Sequence, residues 1–418
     1  MHRFSCAHVL LALFVCCSAL PTQSEELLER PRSSTNQFSF VDQIVQQHID
    51  DGKLVGAVTW IAQNGKVIHL QAHGWRDRES GSEMQRDSIF RIYSFTKSIA
   101  TAAALMLWEE GKFELDDPVE RYLPAFRDQL VYDPTGNREP KRAMTVRDLM
   151  THTSGIISPA SWGSDLEKKW DDAELRDIDV SLEEFSSKVA ALPLEFSPGE
   201  RWKYGMSIDV LAHLIEVWSG RKFEEFLHDR IFDPLRLSDT DFYVPEEKLA
   251  RLATLYERDK EGQLAARDGK QKDKPFYVPT TSPIRCSGGG GLYSTASDYG
   301  TFLQMILAGG RHDELQLLKP ETIGLMTSDQ LPDHIAGIQF GNEVRDGFKF
   351  GLGFNVITKP GKWDPQARVG EYGWGGAASC HYWLWPPQQL AVITLEATWP
   401  YNRHLEDALK AKIYDFLD

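Results

Sequence analysis

Strand-like runs stand near the two ends of this chain, and helical stretches fill the middle. Val55–Gln63 and Lys66–His73 are rich in β-formers and meet at Asn64-Gly65. Asn-Gly accepts the positive φ angles of a tight hairpin turn, so the two runs read as a hairpin. Strand-like segments return at 350–358 and 378–397. Strands at both ends around a helical middle predict one sheet built from both termini, with a helical insert.

Helices can be placed on the same footing. Ser39, with Asp42 three residues later, opens an amphipathic pattern that runs to about Asp50. A long Ala-, Leu- and Met-rich pattern starts near Ser94 and runs to Glu110, with Gly111 as its stop. Further helical patterns cover Ser297–Leu307 and, at the end, about Asn402 to Phe416. Segments 158–180 and 256–280 are polar and irregular, and both are expected to be loops. The second carries the charge run from Arg267 to Lys274, which reads as a solvated loop; long loops of this kind can also be lids.

Composition narrows the partners. The 418 residues hold 46 Lys plus Arg against 61 Asp plus Glu, a net charge of −15. Such a chain is repelled by phosphate backbones and anionic lipid heads, and it has no basic run, so no nucleic-acid partner is expected. At 42% hydrophobic residues it can bury a large core without disulfide staples.

The first residues read as a processing signal. Arg3 precedes the apolar run Val9–Val15, and Cys16-Cys17-Ser18-Ala19 supplies small residues at a cut. Residues 1–19 are expected to be a signal peptide cleaved after Ala19, followed by a flexible tail over 20–37 and export to a periplasm or the exterior. The apolar run is too short to span a bilayer as a helix of about 20 residues, so no stable membrane insertion is expected after cleavage. The mature chain keeps Cys286 and Cys380. They are expected to be two unpaired buried thiols, although an oxidising compartment leaves their pairing open.

Several catalytic signatures are missing. There is no G-x-S-x-G elbow, no H-E-x-x-H and no zinc-like spacing among the 12 histidines. Gly288–Gly291 lacks the G-K-[ST] ending of a phosphate loop. No cofactor and no metal is expected. What is present is Ser94-Phe95-Thr96-Lys97, an S-x-x-K. On a helix, residues i and i+3 share a face, so Lys97 can reach the Ser94 hydroxyl. A hydroxyl becomes a nucleophile when a base takes its proton, and an amine can take it where burial or nearby cations hold it neutral. The start of a helix also favours charge developing at Ser94. The spacing alone equally describes a capping serine with a surface lysine. A second match, Ser219 to Lys222, is split by Gly220.

The context decides. Phe90-Arg91-Ile92-Tyr93 leads into Ser94-x-x-Lys97. Thr151-His152-Thr153-Ser154-Gly155 follows, then Pro198-Gly199-Glu200-Arg201-Trp202-Lys203-Tyr204, the four glycines, and Trp374-Gly375-Gly376-Ala377. This ordered set resembles the serine β-lactamase and penicillin-binding-protein superfamily over about residues 36–418, and most of all class C β-lactamases and family VIII carboxylesterases. The resemblance implies an α+β fold: an antiparallel β-sheet flanked by helices, with a mainly helical insert. A hydrolase domain over 38–418 would then comprise a sheet region of about 38–110 and 285–418 and an insert of about 111–284.

The same resemblance implies the roles. Ser94 is the acylated nucleophile, with Lys97 and Tyr204 as its proton-transfer partners. Backbone N–H groups of Ser94 and Ala377 form the oxyanion hole, and Trp374, Gly375, Gly376 and Met206 contact substrate. His152 is expected to be structural; His381, just after the Trp374 strand, is in place to line the site but reads first as a satisfied structural histidine. Two departures bear on substrate. Met206 stands where the family's Y-x-N element has an amide, and Trp374 stands where its K-T-G strand has a cation. Both point to a neutral, partly apolar small-molecule acyl substrate, unless Arg285 or another cation compensates. The expected activity is ester hydrolysis through an acyl-enzyme. Alternatives are amide cleavage as a β-lactamase or D-amino-acid peptidase, acyl transfer, or a slowly turning-over penicillin-binding protein.

Overall fold

The computed structural model describes residues 37–158, 164–267, 276–341 and 343–417. The expected signal peptide, nearly all of the expected tail and most of the charge run lie outside the described residues. The chain divides into a unit of residues 1–39 and a unit of residues 40–418, and the sheet, the main core and the site all belong to the second.

An antiparallel sheet takes strands from both ends of this unit. Near the start are β1 (Gly56–Gln63), β2 (Lys66–Asp77) and β3 (Ser82–Glu83). Near the end are β4 (Phe348–Phe350), β5 (Asn355–Ile357), β6 (Tyr372–Gly376), β7 (Cys380–Trp385) and β8 (Leu390–Glu396). The order across the sheet is β4-β5-β6-β7-β8-β1-β2-β3. The two ends meet where β1 pairs with β8, Trp60 opposite Ile393. The β1–β2 turn has Asn64 at φ 51° and Gly65 at φ 73°, the left-handed pair that Asn-Gly adopts most readily.

Side chains of β7 alternate between the two faces, as the pleat requires. Cys380, Tyr382 and Leu384 enter the main apolar core. Trp383 and Trp385 meet helix α5 (His404–Leu417), where Lys410 and Tyr414 pack on their rings at 5.2 and 5.4 Å. Helix α1 (Ser39–Asp50) precedes β1. In the main core, α2 (Thr96–Glu109) is buried on every side from Thr96 to Leu107, the setting its Ala-rich sequence suits. Helix α3 (Ser207–Ser219) packs on α2, and α4 (Ala296–Leu307) packs on β1 and β8. Gly300 of α4 lies so close to the Trp60 ring that a Cβ there would stand 2.6 Å from it.

Several expectations need correction. The pattern from Ser94 is not one α-helix: Tyr93–Phe95 is a 3-10 turn and the α-helix starts at Thr96. The segment 158–180 holds a helix, Asp165–Asp171, opened by a Ser164/Glu167 capping box. The segment 256–280 contains most of a hairpin, Leu255–Arg258 with Leu264–Arg267, whose first strand pairs in parallel with Thr398–Trp399. The run expected at 350–358 is two strands, broken around Gly353 at φ 87°. Cys286 and Cys380 are free and buried.

Candidate active site

Ser94 sits in the 3-10 turn that leads into α2, and the turn is clamped from several sides. Tyr93 before it has φ 45°, an uncommon angle for a side-chain-bearing residue. Thr96 Oγ1 donates to Tyr93 O at 2.6 Å and accepts from Leu292 N at 3.1 Å. Tyr299 Oη donates to Phe95 O at 3.0 Å, while the Phe95 ring packs on Tyr299 and Tyr382, both at 4.7 Å. The Ser94 hydroxyl is thus placed by backbone and aromatic packing together.

Lys97, one turn on, is 4% exposed. Its Nζ lies 3.4 Å from Ser94 Oγ and 4.6 Å from the centre of the Tyr204 ring, and it donates to Gly289 O. This accounts for part of the glycine run. A Cβ at Gly288 would stand 2.6 Å from Ile208 O, and one at Gly289 2.2 Å from Asp209 Oδ2. Only bare backbone fits between α3 and Lys97.

Tyr204 arrives from the loop before α3. Its Oη is 2.5 Å from Ser94 Oγ. The turn at 151–155 braces it: Lys203 N donates to His152 O at 2.9 Å, and the His152 ring packs 5.0 Å from the Tyr204 ring. Gly205 is needed because a Cβ would stand 2.2 Å from Ile156 O. His152 is fully buried, and burial followed by the Lys97 charge pushes its pKa well down. A neutral imidazole packed on Tyr204 acts as a brace.

Ser94, Tyr204, Trp374, Gly375, Gly376 and Ala377 share the wall of a cavity of about 480 Å³. Trp374 packs 5.7 Å from Tyr204 and 5.2 Å from Phe350. A Cβ at Gly376 would stand 2.6 Å from Ile92 O, so β6 can lie against the Ser94 turn only with glycine there. Met206 is not among the residues lining the cavity; it is half-buried against the main core. Arg285 is also away from the cavity, 3.8 Å from Asp209 and donating to Asp177 O at 2.7 Å.

Residues 41–414 match the beta-lactamase family. The chain belongs to that family. It is 34% identical over 361 residues to protein Rv1367c of Mycobacterium tuberculosis, spanning 84% of this chain and 88% of that one. It is 30% identical over 396 residues to esterase EstB of Burkholderia gladioli, spanning 89% and 95%. Among solved structures, EstCE1, a hydrolase with promiscuous acyltransferase activity, matches with a TM-score of 0.76 at 27% identity, covering 91% of this chain and 98% of that one. These relatives make this member of the beta-lactamase family an enzyme of the serine hydrolase and acyl-transferase kind.

In this family member the cavity runs on to a second, charged end that sequence reasoning missed. Lys410 donates to Asp364 at 2.8 Å and to Glu371 at 2.5 Å. Arg403 donates to Asp364 and to Glu406, both at 2.8 Å, and Tyr414 Oη to Glu371 at 2.5 Å. His381 lies here too, 1% exposed and 3.6 Å from Glu406, with its pKa lowered to about 4 mainly by burial. Arg345 also lines the cavity. No local pattern could have found these groups, because they come from four separate stretches of the C-terminal third. Away from the cavity, Glu224, His228 and Asp241 bring one ligand atom each within 4.8 Å of one another, a geometry that could take a cation. No helix among the described residues is long and apolar enough to cross a membrane.

Proposed function

We propose that this enzyme hydrolyses carboxylic esters of small acyl substrates through an acyl-enzyme on Ser94, and that it is exported by its N-terminal apolar segment. One observation carries the ester reading. Ser94 Oγ lies 2.5 Å from Tyr204 Oη and 3.4 Å from Lys97 Nζ, in a cavity whose near wall offers Trp374 instead of a cation.

As Oγ attacks the ester carbonyl carbon, the Ser94 proton passes to Tyr204 Oη while the phenol proton passes to the Lys97 amine. The carbonyl oxygen becomes an oxyanion between the N–H groups of Ser94 and Ala377, a kind of contact worth about 2.7–4 kcal/mol per donor. Collapse expels the alcohol, which takes the proton from Tyr204 as Lys97 returns its own to the phenol oxygen. Water then attacks the acyl-Ser94 carbonyl by the same route and frees the acid. An alcohol acceptor in place of water would give acyl transfer, the activity named for EstCE1.

The decisive experiment compares the mature protein with Ser94→Ala on a short-chain p-nitrophenyl ester and a chromogenic cephalosporin. Ester turnover that vanishes in the variant is the expected result. Dominant cephalosporin turnover would sink the substrate argument, and ester turnover unchanged in the variant would sink the assignment of Ser94.

A further inference from the structure

The cations around the cavity are not equivalent. Arg403 and Lys410 are saturated by Asp364, Glu371 and Glu406 at 2.5–2.8 Å. Arg345 is not. Among the described residues its guanidinium has no carboxylate within ion-pair distance and no hydrogen-bond acceptor, and its buried Nε is unpartnered. What holds it is stacking: the guanidinium carbon lies 4.1 Å from the centre of the Phe340 ring and 3.6 Å from that of Trp363. Its backbone is pinned by Arg345 N donating to Ile338 O at 2.9 Å and Phe348 N donating to Arg345 O at 3.0 Å.

Rings over a guanidinium cover its faces and leave the donors in its plane free. A half-buried cation without a partner is costly, and it is matched when an anion enters with the substrate. The donor fork fits a planar carboxylate bidentately. Three carboxylates line the far end of the same cavity, so a single negative charge is accommodated better than a phosphate dianion.

We propose that Arg345 binds a carboxylate carried by the acyl substrate at a distance from the scissile bond, so that the preferred substrates are half-esters of dicarboxylic acids. The inference rests on the ester reading above and specifies its substrate class. It also gives the cation missing from β6 a place elsewhere: the strand beside Ser94 is neutral at Trp374, and the positive charge comes from the segment between Phe340 and Phe348.

The test uses a matched pair, 4-nitrophenyl hydrogen adipate and 4-nitrophenyl hexanoate, corrected for spontaneous hydrolysis. In the wild-type enzyme the ratio of kcat/KM for adipate over hexanoate should exceed one. In Arg345→Gln that ratio should fall at least tenfold, chiefly through KM for the adipate ester, and Arg345→Lys should restore part of it. A ratio in Arg345→Gln within twofold of wild type would overturn the proposal, and so would equal losses on both esters, which mark a merely structural role. A second readout needs no turnover: binding of the adipate ester to Ser94→Ala, followed by tryptophan quenching, should weaken at least tenfold on adding Arg345→Gln. Unchanged binding would overturn the proposal. Absence of turnover on both esters in the wild type would instead count against the ester reading, and the binding measurement would still decide Arg345.

Discussion

The two ends of the cavity use polar groups in opposite ways. At the Ser94 end, a serine, a lysine and a tyrosine meet within 2.5–4.6 Å, and among the described residues no carboxylate is hydrogen-bonded to any of them. Their surroundings are rings and backbone: His152, Trp202, Phe340 and Trp374 around Tyr204, and Gly289 O on Lys97. At the far end, Arg403 and Lys410 are closed onto Asp364, Glu371 and Glu406. The first cluster holds its hydroxyl, amine and phenol without a carboxylate counter-charge among the described residues. In the second, each charge is locked by its neighbours, which orders α5 against β6 and β7 and leaves little for chemistry.

The largest expected effect breaks the first end. Tyr204→Phe keeps the ring packing and removes the hydroxyl, so kcat on a p-nitrophenyl ester should fall by roughly 10²–10⁴, the usual worth of a positioned acid–base group. A fall below threefold would show that Lys97 acts without Tyr204. The matching change at the far end is Lys410→Met. It strands buried carboxylates, and removing one partner of such a pair costs about 3–5 kcal/mol in denaturant unfolding. A cost below about 1 kcal/mol would mean that Arg403 alone holds the network.

Acid should sharpen the contrast next. His381 has its pKa lowered to about 4, below its ordinary 6.5, by burial. Between those values the unfolded chain binds the extra proton, so stability rises with pH there and is lost as pH falls from 6.5 toward 4. The most this one group can contribute is about 3 kcal/mol. His381→Gln should flatten the dependence of unfolding free energy on pH across that window, and an unchanged slope would assign the acid sensitivity to His152 and His69. The smallest effect is at Gly289. Gly289→Ala brings a Cβ within 2.2 Å of Asp209 Oδ2 and should cost about 1–3 kcal/mol. Because Gly289 O accepts from Lys97 Nζ, kcat should drop as well; lost stability with kcat intact would separate the glycine run from catalysis.

Much of the Ser94 end was legible in the chain because its signals are local or follow a known order. The Asn64-Gly65 turn, the Ala-rich α2 and its Gly111 stop, and the S-x-x-K spacing each act within a few residues. Even there the reading slipped where two signals overlap: Ser94 looks like a cap, yet the backbone makes a 3-10 turn first. Strand β6 has no alternation to read, because Gly373, Gly375 and Gly376 make up three of its five residues. It could be located only through the resemblance.

By itself, the sequence determined that one sheet draws strands from both ends, that an Ala-rich helix follows Ser94, and that a serine and a lysine stand three residues apart near its start. Those are properties of short windows and of periodicity. Only the tertiary structure decided that Gly289 O faces Lys97, that His152 braces Tyr204, that Met206 turns away from the cavity, and that Arg345 lines it with no carboxylate partner among the described residues. Each of those depends on which distant segments the sheet and the core bring together, and no spacing along the chain encodes that.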